Sequence, residues 1–320
     1  MFDTIGTPGL WATFAAFVVA ALAIDLWVMD RRAEQAVGVK TAAVWSVVWI
    51  ALALAFGAGL WAWLDGTAGR ELANEKAAEY LTGYLIEKSL SVDNIFVFLM
   101  LFTYFAVPPE RQRKVLVLGV LGAVVLRVVM ILIGAWLIAR FHWILYVFGL
   151  FLLATGVKMI LFADEKPDLE RNPVLRWMRG HLAITPQFHG DRYWVEEGGK
   201  RWFTPLFVVL VLIGVTDIVF AVDSIPAIFA ITDDPFIVMT SNIFAVLGLR
   251  ALYFVLADLA ARFHLLAYGL GAILVFVGLK MLAVDFFKVP VAWSLGVVGA
   301  ILAAAIAASL AFPPKEPKTT

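Results

Sequence analysis

The chain of 320 residues contains no cysteine. Disulfides and thiolate metal sites are therefore excluded. Charge is scarce: Asp, Glu, Lys and Arg make up 16% of the residues, against about 25% in a soluble domain. The formal net charge is zero, so no bulk charge points to nucleic acid. Residues 1–9 carry neither Lys nor Arg. The basic region of a secretory signal is thus missing, and the first apolar run is expected to stay as a helix. No nucleotide-binding motif, nucleophile–base pair or cofactor motif is present. An enzyme is not expected, nor a tightly bound cofactor, nor drive by ATP.

Apolar residues are abundant. They make up 62% of the chain, aromatics 14%, and mean hydropathy is +0.91. A membrane crossing needs about 20 apolar residues. Nine such runs are present, at about 10–29, 41–64, 82–106, 115–138, 143–162, 205–229, 236–257, 265–284 and 291–312. The fold class read from this is an all-α polytopic membrane protein, with the lipid bilayer as its solvent. The oligomeric state is not encoded in any recognisable pattern.

Positive residues accumulate on one side of these runs. Arg31, Arg32, Lys40, Arg111, Arg113, Lys114, Arg262, Lys315 and Lys318 fall there, with seven more between 164 and 204. Only Arg70, Lys76, Arg140 and Lys288 fall on the other. The amino end is expected outside and the carboxyl end in the cytosol.

The chain also contains itself twice. Ala139-Arg140-Phe141-His142 opens a run ending Val157-Lys158-Met159; Ala261-Arg262-Phe263-His264 opens one ending Leu279-Lys280-Met281. Tyr146 matches Tyr268, Gly149 matches Gly271, and Gly156 matches Gly278. Upstream lie two acidic pairs of equal spacing, Glu87 with Asp93 and Asp217 with Asp223. The repeat units are spans three to five and six to eight. Three is odd, so the copies are expected to run in opposite directions through the membrane. The expected segments are 1–81, an amino-terminal pair of spans; 82–163, the first repeat; 164–204, a cytosolic connector; 205–284, the second repeat; and 285–320, the last span and tail. Within the connector, alternating residues flank Gly198-Gly199, a hairpin signal. The tail from Pro313 is expected to be disordered.

A carboxylate at a helix centre costs about 2.5–3.5 kcal/mol on insertion scales. Four of them need a bound cation, buried bases or protons. Residues six apart on a helix differ by about 120°, so one ion is reached more easily from both members of a pair if the helix breaks between them. Pro226, which cannot donate to the carbonyl of Val222, is a cause for such a break. Ser91, Asn94, Ser224 and Asn242 offer further oxygens. These are hard donors, suited to Mg²⁺, Ca²⁺ or Mn²⁺. Lys88, Arg127 and Arg250 also lie within spans, and the plainer alternative is an ion-pair network of structural purpose only. Asp25 reads as an interfacial or paired acid. Lys158 and Lys280 are expected to snorkel to the interface, and His142 and His264 to lie there.

Four stretches resemble the TerC family, close to its Alx-like branch. They are Glu87-Lys-Ser-Leu-Ser-Val-Asp93-Asn94, Thr204-Pro-Leu-Phe, Thr216-Asp217 through Asp223-Ser-Ile-Pro226, and Thr240-Ser-Asn242 through Gly248-Leu-Arg250. The resemblance runs from about residue 10 to 312. It implies an inner-membrane protein with a fold like that of LysE-type exporters, and a metal site at Glu87, Asp93, Asp217 and Asp223. It further implies export of Mn²⁺, with protons as the counter-ion expected from clustered acids. The family's name comes from tellurium resistance, and a plant member is associated with thylakoid assembly. A membrane-assembly or tellurium-resistance factor without transport is therefore the alternative.

Overall fold

The computed structural model describes residues 4–30, 39–141, 143–163, 169, 172–259, 265–283, 285–287 and 289–312. His142, His264, Arg262 and the tail from Pro313 lie outside the described residues, as do the side chains of Asp25 and Asp93.

Proline starts many of the helices, because the first helical position needs no N–H. Pro8, Pro109, Pro173, Pro205 and Pro235 open α1 (Pro8–Asp30), α4 (Pro109–Arg140), α6 (Pro173–His181), α7 (Pro205–Phe229) and α8 (Pro235–Leu247). The others are α2 (Val39–Thr67), α3 (Arg70–Tyr104), α5 (Ile144–Leu161), α9 (Leu249–Leu259), α10 (Leu266–Leu282) and α11 (Val291–Ala311). Asp234 caps α8 by accepting from the Phe236 amide at 2.9 Å. Asn172 caps α6 in the same way through Val174 and Leu175.

Five helices, α2, α4, α5, α7 and α11, are long and apolar enough to cross a membrane. The pair α8 and α9, bent by 43°, makes a sixth if taken as one broken span. α10 and the described apolar part of α1 are shorter. α3 spans 35 residues, but Glu87, Lys88 and Asp93 interrupt its apolar half. The nine apolar runs of the sequence thus fall on α1 to α5, α7, the bent pair, α10 and α11. Large apolar side chains such as Val44, Val47, Val125, Leu132 and Trp136 face outward. In water such a surface would be a liability; in lipid it is matched to its solvent.

The main core joins α2, α3, α4, α7, α8 and α9. α3 packs on α8, and α4 on α7. A second core holds α5, α10 and α11 together. α5 and α10 meet through glycines. A Cβ on Gly156 would stand 2.7 Å from the Gly271 carbonyl oxygen, and one on Gly278 would stand 2.8 Å from that of Gly149. The early glycine of one helix meets the late glycine of the other, so the two run antiparallel. Small residues let backbones touch in this way.

The connector carries α6 and the hairpin of β1 (Trp194–Glu197) and β2 (Lys200–Phe203). Trp194 pairs with Phe203 and Glu197 with Lys200. Gly198 and Gly199 take φ values of 60° and 73°, the left-handed conformation that a two-residue hairpin turn requires. The Thr204 hydroxyl donates to the Arg192 carbonyl at 2.7 Å and ties the hairpin to the start of α7.

One local expectation is corrected. α7 does not break between Asp217 and Asp223. It runs unbroken to Phe229 with Pro226 inside it, and the Pro226 carbonyl still accepts from the Ala230 amide at 3.0 Å. The break lies instead between α8 and α9, at Gly248. There the Lys88 ammonium donates to the Ala245 carbonyl at 3.2 Å.

Candidate functional site

Tyr84, Glu87, Ser91 and Asn94 recur at three- and four-residue intervals, the spacing of one helix face. All four are buried. Arg127 on α4 meets this face and forms an ion pair with Glu87. The same guanidinium donates to Asn242 Oδ1 on α8 at 2.5 Å and to Ser224 Oγ on α7 at 3.4 Å. One cation therefore ties α3, α4, α7 and α8. Asp217 on α7 is buried within electrostatic reach of both Arg127 and Glu87.

This group is incompletely satisfied. Among the described residues, Asp217 Oδ2, Ser91 Oγ, both amide atoms of Asn94, Asn242 Nδ2 and the Tyr84 hydroxyl have no hydrogen-bond partner. Buried polar atoms are normally paired, and each exception needs an explanation. Here these exceptions lie on the Glu87 face of α3 and on the α7 and α8 residues near Arg127.

Because α7 stays helical, Asp223 is turned away from Asp217. It faces an adjoining cavity of about 410 Å³, lined also by Asn94, Arg127, Thr155, Lys158 and Ser224. The Thr155 hydroxyl donates to the Asp223 carboxylate, and Lys158 supplies positive charge nearby. Arg127, Ser224 and Asn94 belong to both the buried cluster and the cavity wall. They connect the buried cluster to the largely apolar cavity where α3, α4, α5 and α7 meet.

Of the residues singled out in the sequence, Glu87, Asp217, Asp223, Ser91, Asn94, Arg127, Ser224 and Asn242 come together here. Lys88 takes another direction, toward the break after α8, while staying within electrostatic reach of Glu87. Arg250 is buried on α9. Asp93 lies in α3 with its side chain outside the described residues. Among the described residues, no three His, Asp or Glu side chains are grouped to hold a metal ion. Tyr84, Thr155 and Lys158 were missed as site residues. Tyr84 is legible in hindsight from its 3-4-3 spacing with Glu87, Ser91 and Asn94. Lys158 is exposed, as expected of a lysine that snorkels to the interface, and it also borders the cavity.

A model of the integral membrane protein TerC family matches residues 72–316. The chain is 56% identical over 300 residues to a protein of Salmonella typhi, covering 94% of this chain and 93% of that one. That relative is called Alx and described as a candidate membrane-bound redox modulator. The Escherichia coli K12 protein of the same name is also 56% identical, with 94% of each chain covered. An uncharacterized membrane protein of Myxococcus xanthus is 49% identical over 309 residues, 97% of this chain and 94% of its own. No solved structure matches. The chain is a member of the integral membrane protein TerC family.

Proposed function

We propose that this chain exports a divalent metal ion, Mn²⁺ before others, from the cytosol across the inner membrane in exchange for protons. The observation that carries the reading is the set of oxygens on Tyr84, Ser91, Asn94 and Asp217, near Glu87, that have no hydrogen-bond partner among the described residues. A network built only for stability would be closed, since an unsatisfied buried group costs about 1–3 kcal/mol. An unclosed set of oxygens beside a cavity is what a cation exchanging its water shell would need. The donors are carboxylate, hydroxyl and amide oxygens, which suit hard cations. Asp93 is assigned to the same site by its matched spacing with Asp223. Arg127 holds Glu87 while the site is empty.

In this reading the chain crosses nine times, with the amino end outside and the carboxyl end in the cytosol. The three-span repeats are inverted about an axis in the membrane plane. Two features support the inversion. The glycine contacts are reciprocal: exchanging the copies turns Gly149 with Gly278 into Gly271 with Gly156. The packing is reciprocal too, α3 on α8 matching α7 on α4. Rocking of one repeat against the other would expose the acids to alternate sides.

The relatives' description as redox modulators fits this reading only indirectly. A chain without cysteine cannot exchange thiols, so an effect on redox balance would follow from the metal it removes. The alternative, an assembly or tellurium-resistance factor, needs no metal flux. Flux into inverted vesicles, with Mn²⁺, Mg²⁺, Ca²⁺ and Zn²⁺ compared, separates the two. Mn²⁺ accumulation dependent on Asp217 and Asp223 is the expected result; no flux of any of the four ions would refute export.

A further inference from the structure

Thr155 and Lys158 stand three residues apart on α5, hence on one face. Side chains on a helix lean toward its amino end, so the Lys158 ammonium reaches back toward the level of Thr155. Both line the cavity that Asp223 lines. The Thr155 hydroxyl is already bonded to Asp223, and the Lys158 charge acts on the same carboxylate. The described residues of the second copy differ from this arrangement. The residue matching Thr155 is Val277, which has no hydroxyl. The residue matching Lys158 is Lys280, whose ammonium donates to Ser294 Oγ at 3.0 Å. Lys280 lines a separate cavity of about 190 Å³ with Leu145 and Phe229. Among the described residues, only α5 sets a hydroxyl and an ammonium against one of these acids.

Glu87 already has a fixed counter-cation in Arg127. Asp223 has none so rigid. Its nearby cation sits on a flexible four-carbon stem, in a cavity with room for that stem to move. We propose that Lys158 is a tethered cation that occupies the Asp223 side of the cavity when no metal is bound and is displaced when a divalent ion arrives. This rests on the exporter reading. It makes Lys158 a competitor for the site, not a ligand. It also gives the empty carrier a way to return with Asp223 compensated, so that fewer protons need to travel back. Thr155 keeps Asp223 aimed into the cavity in both conditions.

The test is equilibrium binding of Mn²⁺ to the full-length protein in detergent, at fixed pH and ionic strength, with thermal unfolding measured alongside. Lys158→Met should bind Mn²⁺ at least about fivefold more tightly than the unaltered protein. Lys158→Arg should return affinity to the unaltered level, because it restores the tethered charge. Lys280→Met should leave affinity unchanged. Should Lys158→Met melt early, Lys158→Gln is read by the same criteria. Unchanged or weaker binding in a folded Lys158→Met protein would overturn the proposal and leave the exporter reading standing. So would equal tightening in Lys158→Met and Lys158→Arg. If the unaltered protein binds none of Mn²⁺, Mg²⁺, Ca²⁺ and Zn²⁺, the exporter reading itself fails, and this proposal with it.

Discussion

Arg127 and Glu87 are paired across α4 and α3 with side-chain exposures of 3% and 0%. Removing one partner of such a buried pair strands the other charge, at a cost of about 3–5 kcal/mol. Arg127→Met should therefore lower the unfolding temperature sharply in detergent. The double change Arg127→Met with Glu87→Gln should recover most of the loss, since both charges go together. A single variant as stable as the parent would mean that this pair contributes little to holding the helices together.

Asp223→Asn should abolish Mn²⁺ efflux while the protein stays folded and inserted. The amide oxygen can still accept from Thr155, and losing a charge within a span eases insertion. Efflux assayed in whole cells and in vesicles gives the readout. Parental efflux from this variant would remove Asp223 from the site.

Proton coupling has its own signature. Protons compete with metal for ligand oxygens, so Mn²⁺ binding should weaken as pH falls. Four acids should not all stay ionised when the metal leaves. A protonophore at clamped membrane potential should therefore slow Mn²⁺ flux into inverted vesicles. Flux indifferent to the protonophore would identify a facilitator in place of an exchanger.

The α5–α10 seam predicts a steep steric contrast. Gly156→Val places a Cβ 2.7 Å from a backbone oxygen that cannot step aside. Overpacking of this kind costs typically about 1–3 kcal/mol. At Gly59 on α2 a Cβ meets nothing within 4 Å, so Gly59→Ala should change stability by no more than about 1 kcal/mol. Unfolding midpoints of the two variants, measured side by side, check the difference.

Composition and run length made the helical membrane fold legible, because lipid leaves the backbone few options. The turn between β1 and β2 lies at two adjacent glycines, a purely local signal. The site was only half legible. Identical spacing drew attention to Glu87 and Asp217, and both lie in the buried cluster. Spacing says nothing, however, of which neighbouring helix a face meets. Lys88 stands one residue from Glu87, yet about 100° of helix rotation sends it to the break after α8. Lys158 sits exposed near the end of α5, as an interfacial lysine does, and also borders the Asp223 cavity. Its direction depends on the packing of α5 beside α7, a long-range relationship that no local pattern carries. The position of the helix break was misplaced for a similar reason. Pro226 comes only three residues before the end of α7, where losing one hydrogen bond disturbs little.

The glycine seam has a consequence for how the protein is made. α5 leaves the ribosome with its two glycines exposed as a groove, and its partner α10 follows more than a hundred residues later. At synthesis rates of about 5–20 residues per second, that gap lasts on the order of ten seconds. For that interval the first half sits in the bilayer with its backbone groove facing lipid or a neighbouring protein. Slower translation between α5 and α10 would lengthen that interval, so yield of the folded protein should depend on codon choice there more than after α11.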